Sequence, residues 1–133
     1  MINLSWSEIK GWLETISYDL KREKFDFICG LSKGSLVPAV ILSNTLDIPL
    51  LADFPPYDEL LHDLAFKSIL FVDDTSANFN KCSAWIDPDD GYMHRFICVT
   101  KSTAFNHPDI WKKYITTDGP VSFPWENTNA NQT

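Results

Sequence analysis

The chain is short of positive charge, of cysteine and histidine, and of long apolar runs, and each shortage closes off a class of protein. Eleven Lys and Arg stand against eighteen Asp and Glu, for a net charge of -7. Nucleic-acid and anionic-membrane surfaces depend on clustered Lys and Arg, so neither a nucleic acid nor a membrane is an expected partner. No apolar stretch approaches the ~20 residues needed to span a bilayer. The opening Met1-Ile2-Asn3-Leu4-Ser5-Trp6 lacks the basic start and apolar core of a secretory leader. The expected protein is soluble and cytoplasmic. Cys29, Cys82 and Cys98 are odd in number and far apart, with no CxxC or Cys/His spacing. That pattern suits neither a disulfide framework nor zinc. His62, His94 and His107 stand alone and read as surface or packing residues.

What is present suits one ordered domain. Of 133 residues, 44% are hydrophobic and 14% aromatic, enough for a single buried core. The domain is expected over residues 1–126, followed by a polar, disordered tail over 127–133. Residues 4–21 place Ile9, Trp12, Leu13, Ile16 and Leu20 at near-helical spacing, with Ser5 or Ser7 able to cap the start. A core strand is expected over 25–29, then a tight loop over 30–35. A helix over 36–46 carries Pro38 in its first turn, where proline is tolerated. A short strand over 47–51 belongs near a sheet edge because of Pro49. Loop and a short helix are expected across 52–67. Strands follow over 69–72 and 95–100, with a helix after the first of them. Strand and helix alternate, so the predicted fold class is α/β: a single, mostly parallel sheet flanked by helices.

Two stretches carry chemistry. Ile69-Leu70-Phe71-Val72 reads as a strand buried on both faces, and Asp73-Asp74 closes it. Carboxylates at the end of a parallel strand stand at the ligand crevice, where they accept from hydroxyls or hold Mg²⁺. A plainer reading makes them caps for a following helix. The second stretch is Gly30-Leu31-Ser32-Lys33-Gly34-Ser35. Its glycines permit a sharp turn that brings N–H groups to an anion, and Lys33 adds a point charge. It lacks Walker A spacing, and a plain strand-to-helix turn also accounts for it.

The run from Ile69 to Lys81 resembles the phosphoribosyl pyrophosphate signature of the type I phosphoribosyltransferases. That signature has hydrophobics, two acidics, and a loop ending Thr-Gly-x-Thr. Phe27 to Ala39 is similar to the same family's pyrophosphate loop, and Cys98-Val99-Thr100-Lys101-Ser102 to the strand whose terminal lysine meets the purine. Pro120-Val121-Ser122-Phe123-Pro124-Trp125-Glu126 resembles the terminal segment of xanthine-guanine-type members. The resemblance covers about residues 25–126 in motif order. It implies purine salvage: phosphoribosyl pyrophosphate and a purine base, or the 5′-nucleotide product, as partners and Mg²⁺ as cofactor. Asp73 and Asp74 would be the catalytic and metal-holding pair, and Ser32, Lys33 and Gly34 would hold the pyrophosphate. Lys101 would meet the exocyclic oxygen of the base, and Val121 would lie against its ring. Thr75 is a further candidate ligand-binding residue, and, apart from the resemblance, the side chains of Ser76, Asn78 and Lys81 could hold a phosphate, Lys81 by a charge-assisted contact.

The phosphate loop departs from the family pattern. Ala77 stands where the family usually has an Asp general base, and a methyl group moves no proton. Asn78, Phe79 and Lys81 replace Thr, Gly and Thr, and Pro120 replaces an aromatic. The stretch 52–67 is short for the family's closing hairpin. Two functions therefore stay open: a purine phosphoribosyltransferase, and a catalytically impaired relative that binds a nucleotide or a protein partner in a regulatory role. An acidic-pair phosphatase lacks its Asp-x-Asp spacing, and a receiver-like domain would carry its acids on the first strand. The preferred base and the oligomeric state, a homo-oligomer included, stay open too.

Overall fold

The computed structural model describes residues 2–53, 55, 67–75, 80, 95–101, 115–116 and 121–126. In chain order these give β1 (Ile2–Asn3), α1 (Trp6–Leu20), β2 (Phe27–Gly30), α2 (Leu36–Leu46), β3 (Leu50–Leu51) and β4 (Ile69–Asp73). They continue with β5 (Arg95–Cys98), β6 (Thr100–Lys101), β7 (Ile115–Thr116) and β8 (Val121–Ser122). The short helix expected within 52–67, the helix expected after the 69–72 strand, and the tail over 127–133 all lie outside the described residues.

Ser5 starts α1 with a capping box. Its hydroxyl accepts from the Glu8 N–H at 3.2 Å, and Glu8 Oε1 accepts from the Ser5 N–H at 3.2 Å. Ile9, Trp12, Leu13, Ile16 and Leu20 form the buried stripe their spacing predicts. Helix α2 occupies the expected span, with Pro38 in its first turn. It ends at Asp47, whose φ of 55° is the left-handed conformation that turns the next N–H, that of Ile48, back to the Ser43 carbonyl at 3.1 Å.

The main sheet runs β3-β2-β4-β5, and every pair in it is parallel. Strand β3, which contains the residues after Pro49, is at the edge. Side chains alternate between the two faces of a strand. Ile28, Leu70, Val72, Ile97 and Val99 join a core with α1 and α2 residues such as Ile9, Ile16 and Leu42. The alternate positions Cys29, Ile69, Phe71, Phe96 and Cys98 are fully buried as well. Burial on both faces explains why β4 reads as an unbroken apolar run rather than an alternation. The Cys29 and Cys98 side chains are both buried. Burial, with Asp53 nearby, pushes the Cys29 thiol up to about 12, which leaves it un-ionised and inert.

Several boundaries differ from the sequence reading: the strand expected from 25 begins at Phe27, and the one expected over 47–51 is Leu50–Leu51 alone. Gly30 is the last residue of β2, because it pairs with Val72 across the sheet. Asp73 is likewise the last residue of β4, opposite Cys98. The expected strand over 95–100 breaks at Val99, and Thr100–Lys101 pairs instead with β7. A further ladder was not expected at all: β1 lies parallel to β8, and the Leu4 N–H donates to the Ser122 carbonyl at 2.9 Å. No described helix is long and apolar enough to cross a membrane.

Leu42 has no accessible surface and anchors α2 to the sheet, whereas Val40 on the same helix is 41% exposed. Leu42→Ala is expected to cost about 2–5 kcal/mol, and Val40→Ala no more than about 0.5 kcal/mol. Urea unfolding midpoints of the two variants check both values.

Candidate functional site

The strand order fixes where a ligand can sit. From β2 the chain passes through α2 to β3 on one side of the sheet, while β4 and β5 lie on the other side. The loops leaving β2 and β4 therefore diverge at a topological switch point, the usual crevice of an open parallel sheet. The loop after β2 carries Ser32, Lys33 and Gly34, and the end of β4 carries Asp73, Asp74 and Thr75. The topology brings together the two stretches singled out from sequence.

A buried hydrogen-bond cluster joins them. Asp73 has no accessible surface, and neither does Ser35. Asp73 Oδ1 accepts from Ser35 Oγ at 2.6 Å, from the Asp74 N–H at 2.9 Å and from Ser32 Oγ at 3.3 Å. The two serine oxygens are 2.5 Å apart, and the Ser35 N–H donates to Ser32 Oγ at 3.2 Å. Ser35 stands at the N-cap of α2, yet its side chain makes no capping bond. The hydroxyl goes to Asp73 instead. A buried carboxylate needs such donors, because an unpaired one is strongly penalised. The Leu31 N–H adds a backbone link to the Val72 carbonyl, and the Val99 N–H one to the Asp73 carbonyl, at 3.1 and 3.2 Å.

Asp74 is placed differently. It is half-buried, and its Oδ1 accepts from the Thr75 N–H at 2.8 Å. Its Oδ2 lies against Gly34, where a Cβ built on the glycine would overlap it outright. Without a Cβ, Gly34 lets the Asp74 carboxylate lie against the backbone of the facing loop. Burial first, then the hydrogen bond and the charge of Asp73, push the Asp74 carboxyl up from 3.8 to about 7. Of the adjacent acids, Asp73 faces inward and holds the loop, and Asp74 is the one with accessible surface.

The same point beside Gly34 is approached by the chain's last described segment. Trp125 Nε1 would stand 3.7 Å from the Gly34 Cβ position. The indole stacks on Phe123 at 4.8 Å and 14°, and meets Trp6 at 5.9 Å and 58°. Glu126 closes that turn by accepting from the Phe123 N–H at 2.7 Å.

Of the remaining sequence candidates, Lys33 is exposed on its loop and Thr75 is half-buried. Val121 lies in β8 and packs against the main core. Lys101 ends β6, beyond the carboxyl end of β5. Ser76, Asn78 and Lys81, with Ala77 and Phe79, fall outside the described residues. Sequence reasoning did not select Ser35 or Trp125 as site residues. A serine before a helical run signals a cap, but nothing local signals a bond to a carboxylate 38 positions away.

No protein-family model and no curated protein matches the sequence. Solved structures do match in fold. A purine phosphoribosyltransferase from Pyrococcus horikoshii superposes with a TM-score of 0.72 at 24% identity, over 95% of this chain and 94% of that one. A hypothetical protein from Neisseria gonorrhoeae with bound ppGpp gives 0.72 at 16% identity, over 98% and 92%. The xanthine-guanine-hypoxanthine phosphoribosyltransferase of Helicobacter pylori gives 0.70 at 13% identity, over 98% and 97%. The fold is that of the type I phosphoribosyltransferases.

Ser35→Ala removes the shortest bond to a buried carboxylate and is expected to cost about 1–3 kcal/mol, read from the urea midpoint. The raised Asp74 value makes a second prediction. The folded protein favours neutral Asp74, so this group's contribution is full below about 3.8 and is lost as pH rises through about 7. Between pH 5 and 8 the wild-type midpoint should fall more than that of Asp74→Asn. Parallel curves would show that Asp74 ionises normally.

Proposed function

We propose that the chain transfers a phosphoribosyl group from phosphoribosyl pyrophosphate to a purine base, giving a 5′-nucleotide and pyrophosphate. The observation that carries this reading is the meeting of Asp74 and Gly34 at the switch point of the sheet. There a carboxylate suited to ribose hydroxyls adjoins a loop suited to a diphosphate. Ser32, Lys33 and Gly34 bind the pyrophosphate, with Lys33 supplying the charge. Asp74 accepts from the ribose hydroxyls, and Asp73 fixes the loop behind it. Thr75, Ser76, Asn78 and Lys81 take the 5′-phosphate, and Lys101 and the backbone near Val121 take the base.

Mg²⁺ is held through one or two carboxylates plus substrate phosphates and keeps several of its waters. The accessible Asp74 carboxylate fits an ion of that kind bound together with the diphosphate, more readily than Asp73 does. When bound, the ion offsets negative charge on the leaving diphosphate. Breaking the bond to the ribose asks the protein mainly to position and to stabilise charge. An acid or base group typically contributes ~10²–10⁴-fold, so Ala77 in place of an Asp slows such a reaction without forbidding it.

One observation favours a second reading, regulatory nucleotide binding without turnover: the Neisseria gonorrhoeae protein of the same fold has ppGpp bound. Mass spectrometry after incubation with Mg²⁺, phosphoribosyl pyrophosphate and mixed guanine, xanthine, hypoxanthine and adenine separates the two. Transfer predicts a nucleotide whose yield falls at least about tenfold in folded Asp74→Asn. No nucleotide at high protein concentration, with guanine nucleotides retained on the protein, supports the second reading.

A further inference from the structure

Trp125 Nε1 is buried and has no hydrogen-bond partner among the described residues. Natural proteins keep few such orphaned donors, because each one forfeits its hydration without return. No hydrogen bond aims this indole. Its plane is set by the stack on Phe123 and the contact with Trp6. Those contacts leave the N–H beside Gly34, at the point Asp74 Oδ2 also crowds. An indole nitrogen can only donate, so its partner must be an acceptor that enters this space. Asp74 does not serve, although its carboxylate is adjacent. Lys33 and the Gly34 turn, on the same loop, favour an anionic acceptor.

We propose that the Trp125 indole N–H, held beside Gly34 without a partner, donates to an oxygen of the diphosphate group that the Ser32–Gly34 loop binds. This rests on the phosphoribosyl pyrophosphate reading above and adds a residue to its diphosphate site. The ligand shifts the Asp74 carboxylate off Gly34 and brings an oxygen to the waiting donor. Trp125 then distinguishes a diphosphate from ligands too short to reach it.

Calorimetric titration with phosphoribosyl pyrophosphate and with inorganic pyrophosphate, each with Mg²⁺, tests this on the full chain. The variants are Trp125→Phe and Trp125→3-benzothienylalanine, the second being nearly isosteric and lacking only the N–H. Lys33→Ala reports on the loop independently. Both Trp125 variants should bind both ligands about tenfold or more weakly. The thermal midpoint of the benzothienyl variant should not fall, since no bond is lost in the free protein. Unchanged affinity for both ligands in that variant, with Lys33→Ala weakened, overturns the proposal and leaves the diphosphate reading standing. A loss confined to phosphoribosyl pyrophosphate also overturns it, by putting the N–H on the sugar. Wild-type protein that binds neither ligand overturns the proposal and the reading together.

Discussion

The Asp73 carboxylate, buried at the end of β4 and bonded to Ser35, Ser32 and the Asp74 N–H, is the contact on which the site's geometry depends. It ties the first turn of α2 to the central strands and so sets the path of the intervening loop. That path brings Gly34 against Asp74, and the closeness of Gly34 helps keep the Asp74 carboxyl out of water. Burial and the neighbouring Asp73 then raise the Asp74 carboxyl to about 7. Each acid has a distinct task because one is fully enclosed and the other is not.

The parallel sheet makes this arrangement possible. Parallel strands put all their carboxyl ends on one edge, and the change of direction between β3 and β4 opens a gap there. Helix α2 starts at that gap, with its N-cap serine turned toward the acid rather than toward its own backbone. The hydroxyl contributes more by satisfying a buried charge than by closing a helix end, since bonds to charged groups are the stronger kind.

Much of this was legible in the chain. The apolar run Ile69–Val72 announced a strand buried on both faces. Pro38 and the residues after Gly34 located α2, and Pro49 put its strand at an edge. The pairing of an acidic strand end with a Gly-Ser-Lys loop could be anticipated because both are local patterns. The β1–β8 ladder could not, since two-residue strands carry no periodicity. Nor could the Ser35 bond or the direction of Trp125, which depend on residues far apart in sequence. The end of β2 was misplaced for a similar reason: Gly30 punctuates a turn by habit, but here a partner strand holds it in register.

The pairing of residues 2–3 with 121–122 bears on how the protein is made. A ribosome releases β1 long before β8 exists, so this ladder can close only after nearly all of the described chain has emerged. Contacts of such separation are slow to form, because closing a long loop costs chain entropy before the contact returns any free energy. Trp125 follows β8 directly and reaches Gly34 from there. Strand β4, which holds Asp73, and helix α2, which begins beyond Ser35, can associate earlier, so the Trp125 corner of the crevice awaits a contact of much longer range.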